Sequence, residues 1–362
     1  MLYVNLESSI AGAEQSLLLF VHFAPKSLQI SATCPDGILS RKLNNSDIQT
    51  QQILLPPRRF NLAIIWFLYL LLVNIQILLI SFRARPQIIH ANNSKAVLAS
   101  VLSRVFICNI LIWHMRDLRC SRLLAGICGY LSTKVVAISN AVKNKLIDIG
   151  VRYESIEVIY NGITPYDSEI KEKFQNDSFL FANIGQFVPW KKQFLFIDVA
   201  EKFLQENCNA NFVLIGDDIF GRDSRYKKEL INRVKKSSFK QNIEIISWQD
   251  NLESLWSKID CLVHTADTEP FGRVIIEAMA HSIPVIAAAA GGPAEIITDH
   301  KTGLLFEPND IEDLLGAMKK IYQDSEFARN LATNGREHVL SNFQASKTAE
   351  RIAKVYKELL AA

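Results

Sequence analysis

The sequence predicts an α/β protein made of two Rossmann-like, doubly wound parallel-sheet domains, and three observations predict it. Short apolar runs alternate with helix-period segments along the whole chain, which is the pattern of βαβ units. That alternation breaks once, near the middle, and then restarts. The length of 362 residues, 49% of them hydrophobic and 21% charged, suffices for two domains that each bury a core.

The first domain is expected over residues 1–165, with strands at 2–6, 28–34, 87–90, 110–113, 134–138 and 156–159. Tyr160-Asn161-Gly162 is turn chemistry, and 167–177 is polar without an apolar period, so the hinge belongs there. A second domain is expected over 178–342, with strands at 179–184, 212–215, 243–246, 261–264, 285–289 and 304–306. The closing helix, 345–362, is expected to pack back toward the first domain.

The stretch 62–80 reads LAIIWFLYLLLVNIQILLI, interrupted only by Asn74 and Gln76 and flanked by Arg58, Arg59, Arg83 and Arg85. Its length alone would cross a membrane. Strand-like segments on both sides argue against crossing, since strands of one sheet must share one side of a bilayer. Two placements stay open: a helix packed into the domain, or one that exposes an apolar face to a membrane surface. The flanking arginines favour docking, and a mean hydropathy of +0.11 hints at an apolar surface.

Residues 1–165 hold 16 basic and 8 acidic residues, and the remainder holds 24 and 29. A basic first half suits an anionic partner such as lipid phosphate, with an uneven but solvated surface as the plain alternative. No nucleic-acid partner is expected. The six cysteines are scattered without CxxC spacing, so zinc and redox motifs are absent and reduced thiols are the simplest account. The opening Met1-Leu2-Tyr3-Val4 runs straight into strand-like sequence without a leader. The expected location is cytoplasmic, peripheral at the inner face of the membrane.

The chemistry concentrates in 261–296, CLVHTADTEPFGRVIIEAMAHSIPVIAAAAGGPAEI. It reads as strand, loop, helix, strand, loop, helix. Loops at the carboxyl ends of parallel strands are where ligands bind in open sheets. Helix N-termini offer N–H groups to anions, and Gly272, Gly291 and Gly292 let backbone approach phosphate. Glu269 lies in the first loop, and Glu277 lies about one turn into the helix with its side chain leaning toward the N-terminus. Paired carboxylates of this kind accept hydrogen bonds from sugar hydroxyls.

This segment resembles the signature of glycosyltransferase family 4, the large retaining group with the GT-B fold: a glutamate, Pro-Phe-Gly, a second glutamate in Glu-Ala-Met-Ala, then Pro-Val-Ile-Ala and Gly-Gly. The likeness extends over nearly the whole chain. The run from Asn183 to Lys191 resembles the family's phosphate-binding run, with Gln186 where an arginine is usual and Lys192 at a usual glycine. Ala11-Gly12-Ala13-Glu14 resembles its first glycine loop, with Ala11 in place of one glycine, and the run Ile112 to Asp117 resembles a strand end that carries an acceptor-side histidine.

The resemblance implies a retaining, metal-independent hexosyltransferase. It implies catalytic roles for Lys191, Glu269 and His114, and donor binding by Glu277, Gln186, Gly185, Phe271, Gly272, Gly291, Gly292 and Gly12. The co-substrate would be a nucleotide-diphosphate sugar, with no other cofactor. The acceptor is expected to be a sugar or a lipid-linked molecule, in cell-surface polysaccharide or glycolipid synthesis. A non-catalytic sugar-nucleotide-binding or scaffold protein of the same fold remains the alternative.

Overall fold

The computed structural model describes residues 1–55, 63–165, 179–206, 209–249 and 253–362, with side chains in the helix after residue 62 described from Leu68 onward. The polar hinge stretch 167–177 lies outside the described residues. The chain divides into two compact units, Met1–Thr164 with Ala345–Ala362, and Pro165–Gln344.

In the first unit the order is β1 (Leu2–Val4), α1 (Gly12–Phe23), β2 (Ser31–Cys34), α2 (Ile38–Asn44), β3 (Gln49–Gln52), α3 (Ala63–Ala84), β4 (Ile89–Ala91), α4 (Ser94–Ala99), α5 (Val101–Phe106), β5 (Leu111–Met115), α6 (Arg122–Leu131), β6 (Lys134–Ala137), α7 (Asn140–Ile149) and β7 (Ile156–Val158). All seven strands are parallel, in the order β3-β2-β1-β4-β5-β6-β7. The strand order reverses between β1 and β4, which is the topological switch point of a doubly wound sheet.

The edge strand β3 is the element that the sequence pattern misses. Its residues are Gln-Thr-Gln-Gln, with no apolar alternation, and they are only partly buried. It forms because β2 offers an open edge, and Ser31 to Cys34 pair in register with Gln49 to Gln52.

The long apolar helix α3 joins two strands of this one sheet, so it is a crossover. One stripe, Val73, Ile77 and Ile80, is buried, and α3 packs on α4 and α5. Both polar interruptions have structural jobs. Asn74 is buried; its Nδ2 donates to the Leu98 carbonyl at 2.9 Å and its Oδ1 accepts from the Leu102 amide at 3.2 Å, joining α4 to α5. Gln76 exchanges two hydrogen bonds with the Leu54 backbone. The opposite stripe, Leu68, Leu71, Leu72, Ile75, Leu79 and Phe82, is exposed. Among the described residues no helix is long and apolar enough to cross a membrane.

The second unit runs β8 (Phe179–Ile184), α8 (Gln193–Gln205), β9 (Ala210–Gly216), α9 (Ser224–Lys236), β10 (Ile243–Ser247), α10 (Glu253–Trp256), β11 (Cys261–His264), α11 (Arg273–Ala280), β12 (Val285–Ala288), α12 (Pro293–Ile296), β13 (Leu304–Phe306), α13 (Ile311–Gln323) and α14 (Ser325–Asn342). Its six strands are parallel, in the order β10-β9-β8-β11-β12-β13, so the switch point lies between β8 and β11. Aromatic side chains fill one side of this sheet: Phe181, Phe203 and Phe212 pack ring on ring. The closing helix α15 (Ala345–Ala361) belongs to the first unit, where Ala349, Ile352, Val355 and Tyr356 share a core with Tyr3, Leu17 and Phe20.

Candidate functional site

The two loops that flank the β8/β11 switch point bring together a buried charged cluster. After β8 the chain runs through Gly185 and a short 3-10 turn, Pro189–Lys191, before α8 starts. After β11 it runs through Thr265 to Gly272 before α11. Lys191, from the first loop, forms an ion pair with Glu269, from the second. The Thr265 hydroxyl donates to the Lys191 carbonyl at 2.7 Å and so holds the two loops in register.

His264, the last residue of β11, is the third member. Its Nε2 lies 3.2 Å from Glu269 Oε2 and 3.4 Å from Lys191 Nζ. Burial by itself would raise the Glu269 pKa, but the Lys191 charge and the His264 contact outweigh it and hold the carboxyl well below the usual carboxylate range. Burial, followed by the Lys191 charge, pushes the His264 pKa down, so the ring is neutral at pH 7 and its Nε2–H donates to Glu269. The result is an ionised carboxylate and an ammonium fixed side by side at the carboxyl end of the sheet. The ammonium has three donors, and Glu269 occupies one of them.

The glycines are required by space. A Cβ on Gly292 would lie 2.3 Å from Cα and O of Phe271, and the Gly292 amide donates to the Glu269 carbonyl at 2.9 Å. The second glycine loop is therefore stitched to the first. Gly291 (φ 63°) and Gly272 (φ 101°) are left-handed, which few other residues adopt cheaply. Gly185 lies alongside the Lys191 side chain, and a Cβ on Gly216 would lie 1.9 Å from the Gly185 oxygen. Phe271 turns its ring inward, buried against Phe343 at 5.9 Å between centroids, so only its backbone can serve a ligand.

Two details of these loops bear on the sequence expectations. The loop Gly291-Gly292-Pro293 opens a single helical turn, Pro293–Ile296, whose proline lacks an N–H. Such a turn has little macrodipole, and the Gly292 amide is spent on the Glu269 carbonyl. Lys192, at the position of a usual glycine, has φ 54°, in the left-handed region that favours glycine. Its ammonium pairs with Asp267 at 3.0 Å. Gln186 is half-buried, and its carbonyl accepts from Gln193 Nε2 at 2.7 Å. Glu277 is half-buried on α11 and pairs with Arg273 at 2.8 Å.

The first unit gathers its polar residues at its own switch point. Asn5 follows β1 and Asn92 follows β4, and Asn92 Nδ2 donates to Asn5 Oδ1 at 3.0 Å. Gly12 opens α1, and the Ala11 amide donates to Glu14 at 3.1 Å. Glu14 is buried, and that burial raises its pKa. His114 sits in β5 and is buried. Arg116 reaches inward to Asn92 Oδ1 at 3.0 Å, Asn161 Oδ1 at 2.9 Å and His114 Nδ1 at 3.1 Å. Asp117 faces outward and accepts from the Arg119 amide at 2.8 Å.

Sequence reading missed His264, His90, Asn92 and Tyr356 as members of these clusters. His264 and His90 carried one signal, a histidine inside an otherwise apolar strand. Tyr356 carried none, because its partner lies 266 residues away.

Two family models match the chain: "Glycosyl transferases group 1" over residues 167–338, and "Glycosyltransferase Family 4" over 34–166. An uncharacterised glycosyltransferase of Methanocaldococcus jannaschii is 34% identical over 231 residues, which span 63% of this chain and 60% of that protein. The capsular polysaccharide biosynthesis glycosyltransferase CapM of Staphylococcus aureus is 22% identical over 92% of this chain and 91% of its own length. The crystal structure of Anabaena HepE in complex with UDP-glucose superposes with a TM-score of 0.85 at 23% identity, covering 99% of each chain. That likeness shows the fold, the GT-B class of two Rossmann-like domains.

Proposed function

The chain belongs to glycosyltransferase family 4, group 1, and on that premise we propose that it moves a sugar, with retention of configuration, from a nucleotide diphosphate to a lipid-linked acceptor. The observation that carries this reading is the Lys191–Glu269–His264 cluster at the second switch point. Lys191 and the loop amides near Gly272 stabilise the negative charge that grows on the diphosphate as the anomeric C–O bond breaks. Glu269, kept ionised, accepts hydrogen bonds from the sugar hydroxyls, and Glu277 accepts those of the ribose. The acceptor oxygen bonds to the anomeric carbon on the face the phosphate leaves, and its proton passes to a departing phosphate oxygen. No metal enters this account.

The lipid-linked acceptor rests on the first unit. Crossovers in a parallel sheet are right-handed, so α3 to α7, which follow the reversal of strand order, cover one face. That layer exposes the α3 stripe, Val105 and Phe106 of α5, and Leu123, Ile127 and Tyr130 of α6. Residues 48–147 carry 12 basic residues against one acidic residue, Asp117. Exposed leucine and phenylalanine beside arginine suit an anionic bilayer surface better than a nucleic acid. We place the enzyme at the cytoplasmic face of such a membrane, in cell-surface polysaccharide or glycolipid assembly.

The direct test is release of nucleotide from a panel of UDP-, GDP- and ADP-sugars, by wild type and by Glu277→Gln and Lys191→Ala. Turnover of one donor, lost in both variants, is expected. A folded protein that binds donors without turning any over would instead support the non-catalytic alternative.

A further inference from the structure

The first unit contains a directional chain of hydrogen bonds that starts on the last helix and ends at a buried ring nitrogen. His90 Nδ1 lies 2.6 Å from the Tyr356 hydroxyl, and His90 Nε2 lies 3.1 Å from His114 Nδ1. All three side chains are at most 2% exposed. Arg116 NH2 also lies 3.1 Å from His114 Nδ1.

The proton positions follow from donor and acceptor counting. A guanidinium only donates, so His114 Nδ1 accepts and the ring proton sits on Nε2. His90 Nε2 faces the same lone pair. It must donate too, because two lone pairs would repel at that distance. His90 Nδ1 is then the acceptor, and the Tyr356 O–H donates to it. The Tyr3 ring stacks on His90 at 4.4 Å between centroids and fixes its plane. Burial, then the Arg116 charge, pushes the His90 pKa down to about 3 and the His114 pKa well below its usual value, in keeping with two neutral rings. At the end of the chain, His114 Nε2 is buried with no hydrogen-bond partner among the described residues.

We infer that Tyr356 and His90 are positioning residues that hold His114 as the neutral Nε2–H tautomer, so that His114 meets its substrate as a hydrogen-bond donor to a sugar oxygen and not as a general base. A buried N–H without a partner is costly, and a bound sugar oxygen that accepts from it would remove that cost. The geometry also gives the closing helix a function beyond packing: α15 carries Tyr356 into the switch point of the first unit. The inference rests on the catalytic role that the family resemblance implies for His114.

The test has two parts. Long-range proton–nitrogen spectra of protein labelled at histidine nitrogen read the tautomers directly and need no substrate. His90 and His114 are both expected as Nε2–H, and Tyr356→Phe is expected to convert His90 to a mixture. A His90 proton on Nδ1 in the wild type overturns the relay. With UDP-glucose as probe donor, Tyr356→Phe is expected to lower kcat about three- to tenfold with KM little changed. His114→Ala is expected to lose more, and the double variant to be no worse than His114→Ala alone. Losses that multiply would overturn the coupling. A fully active His114→Ala with the predicted tautomers would show that the relay exists but that the reading of His114 is wrong. Tyr356→Phe must retain a native thermal transition for the kinetic comparison, and His90→Gln, which keeps a side-chain donor toward His114, is expected to retain more activity than His90→Leu.

Discussion

The Gly292 amide donates to the Glu269 carbonyl across 2.9 Å, at a place where a Cβ on Gly292 would meet the Phe271 backbone. A carboxylate and a glycine loop 23 residues apart in sequence are thereby one rigid unit. Gly292→Ala places a methyl group 2.3 Å from backbone atoms that have no rotamer to yield. We expect a loss of about 1–3 kcal/mol of stability, read by denaturant unfolding, and a larger loss of donor turnover as the Glu269 loop shifts. Gly316→Ala, on α13 with open space around it, is the control that should tolerate its methyl group.

Lys191 and Glu269 should respond unequally to removal. Lys191→Met leaves an ionised, buried Glu269 with His264 as its remaining partner in the cluster, and should cost about 3–5 kcal/mol. Glu269→Gln still offers an oxygen to His264 and leaves a lysine that can turn toward solvent, so it should cost less. Both should lower turnover by roughly 10²–10³-fold. Equal stability of the two variants would mean that the pair is not electrostatically buried as described.

Acid should unfold the protein early. His90, His114 and His264 are all buried, and burial lowers the pKa of each. The unfolded chain takes up protons near pH 6.5 and the folded chain does not, so the unfolded state binds more protons below that pH. Their contribution is fully present above about pH 6.5 and is lost as pH falls toward the folded values. For His90 alone, with a folded value of about 3, the slope approaches about 1.4 kcal/mol per pH unit. The depressed Glu269 value adds to the loss below about pH 4. A thermal midpoint unchanged between pH 7 and pH 5 would contradict this protonation scheme.

The exposed stripe of α3 should govern membrane contact. Leu72→Ser, Leu79→Ser and Phe82→Ser together remove three exposed apolar side chains and should leave stability nearly unchanged. Sedimentation with phosphatidylglycerol vesicles should show wild type bound and the triple variant released, with nucleotide release by the soluble enzyme retained. Phosphatidylcholine vesicles should bind less, since they lack the charge that the arginines meet. Equal partitioning of both proteins would leave the layer as an ordinary surface.

The alternation of apolar runs and helical segments was enough to read two parallel-sheet domains, and the Glu269 to Gly292 pattern was enough to name the loops that meet. Those features are local, set by spacing along a few dozen residues. The edge strand Gln49–Gln52 was invisible because its reason for forming is the neighbouring strand edge and not its own polar side chains. The sequence left open how the apolar helix is placed, and the structure shows a crossover with one buried and one exposed stripe, with Asn74 and Gln76 spent on the backbones of neighbouring segments. Only the tertiary structure could set His264 beside Lys191 and Glu269, or carry Tyr356 to His90. The Lys191–His264 and His90–Tyr356 pairings join residues 73 and 266 positions apart, and chain folding, not spacing, decides that they become neighbours.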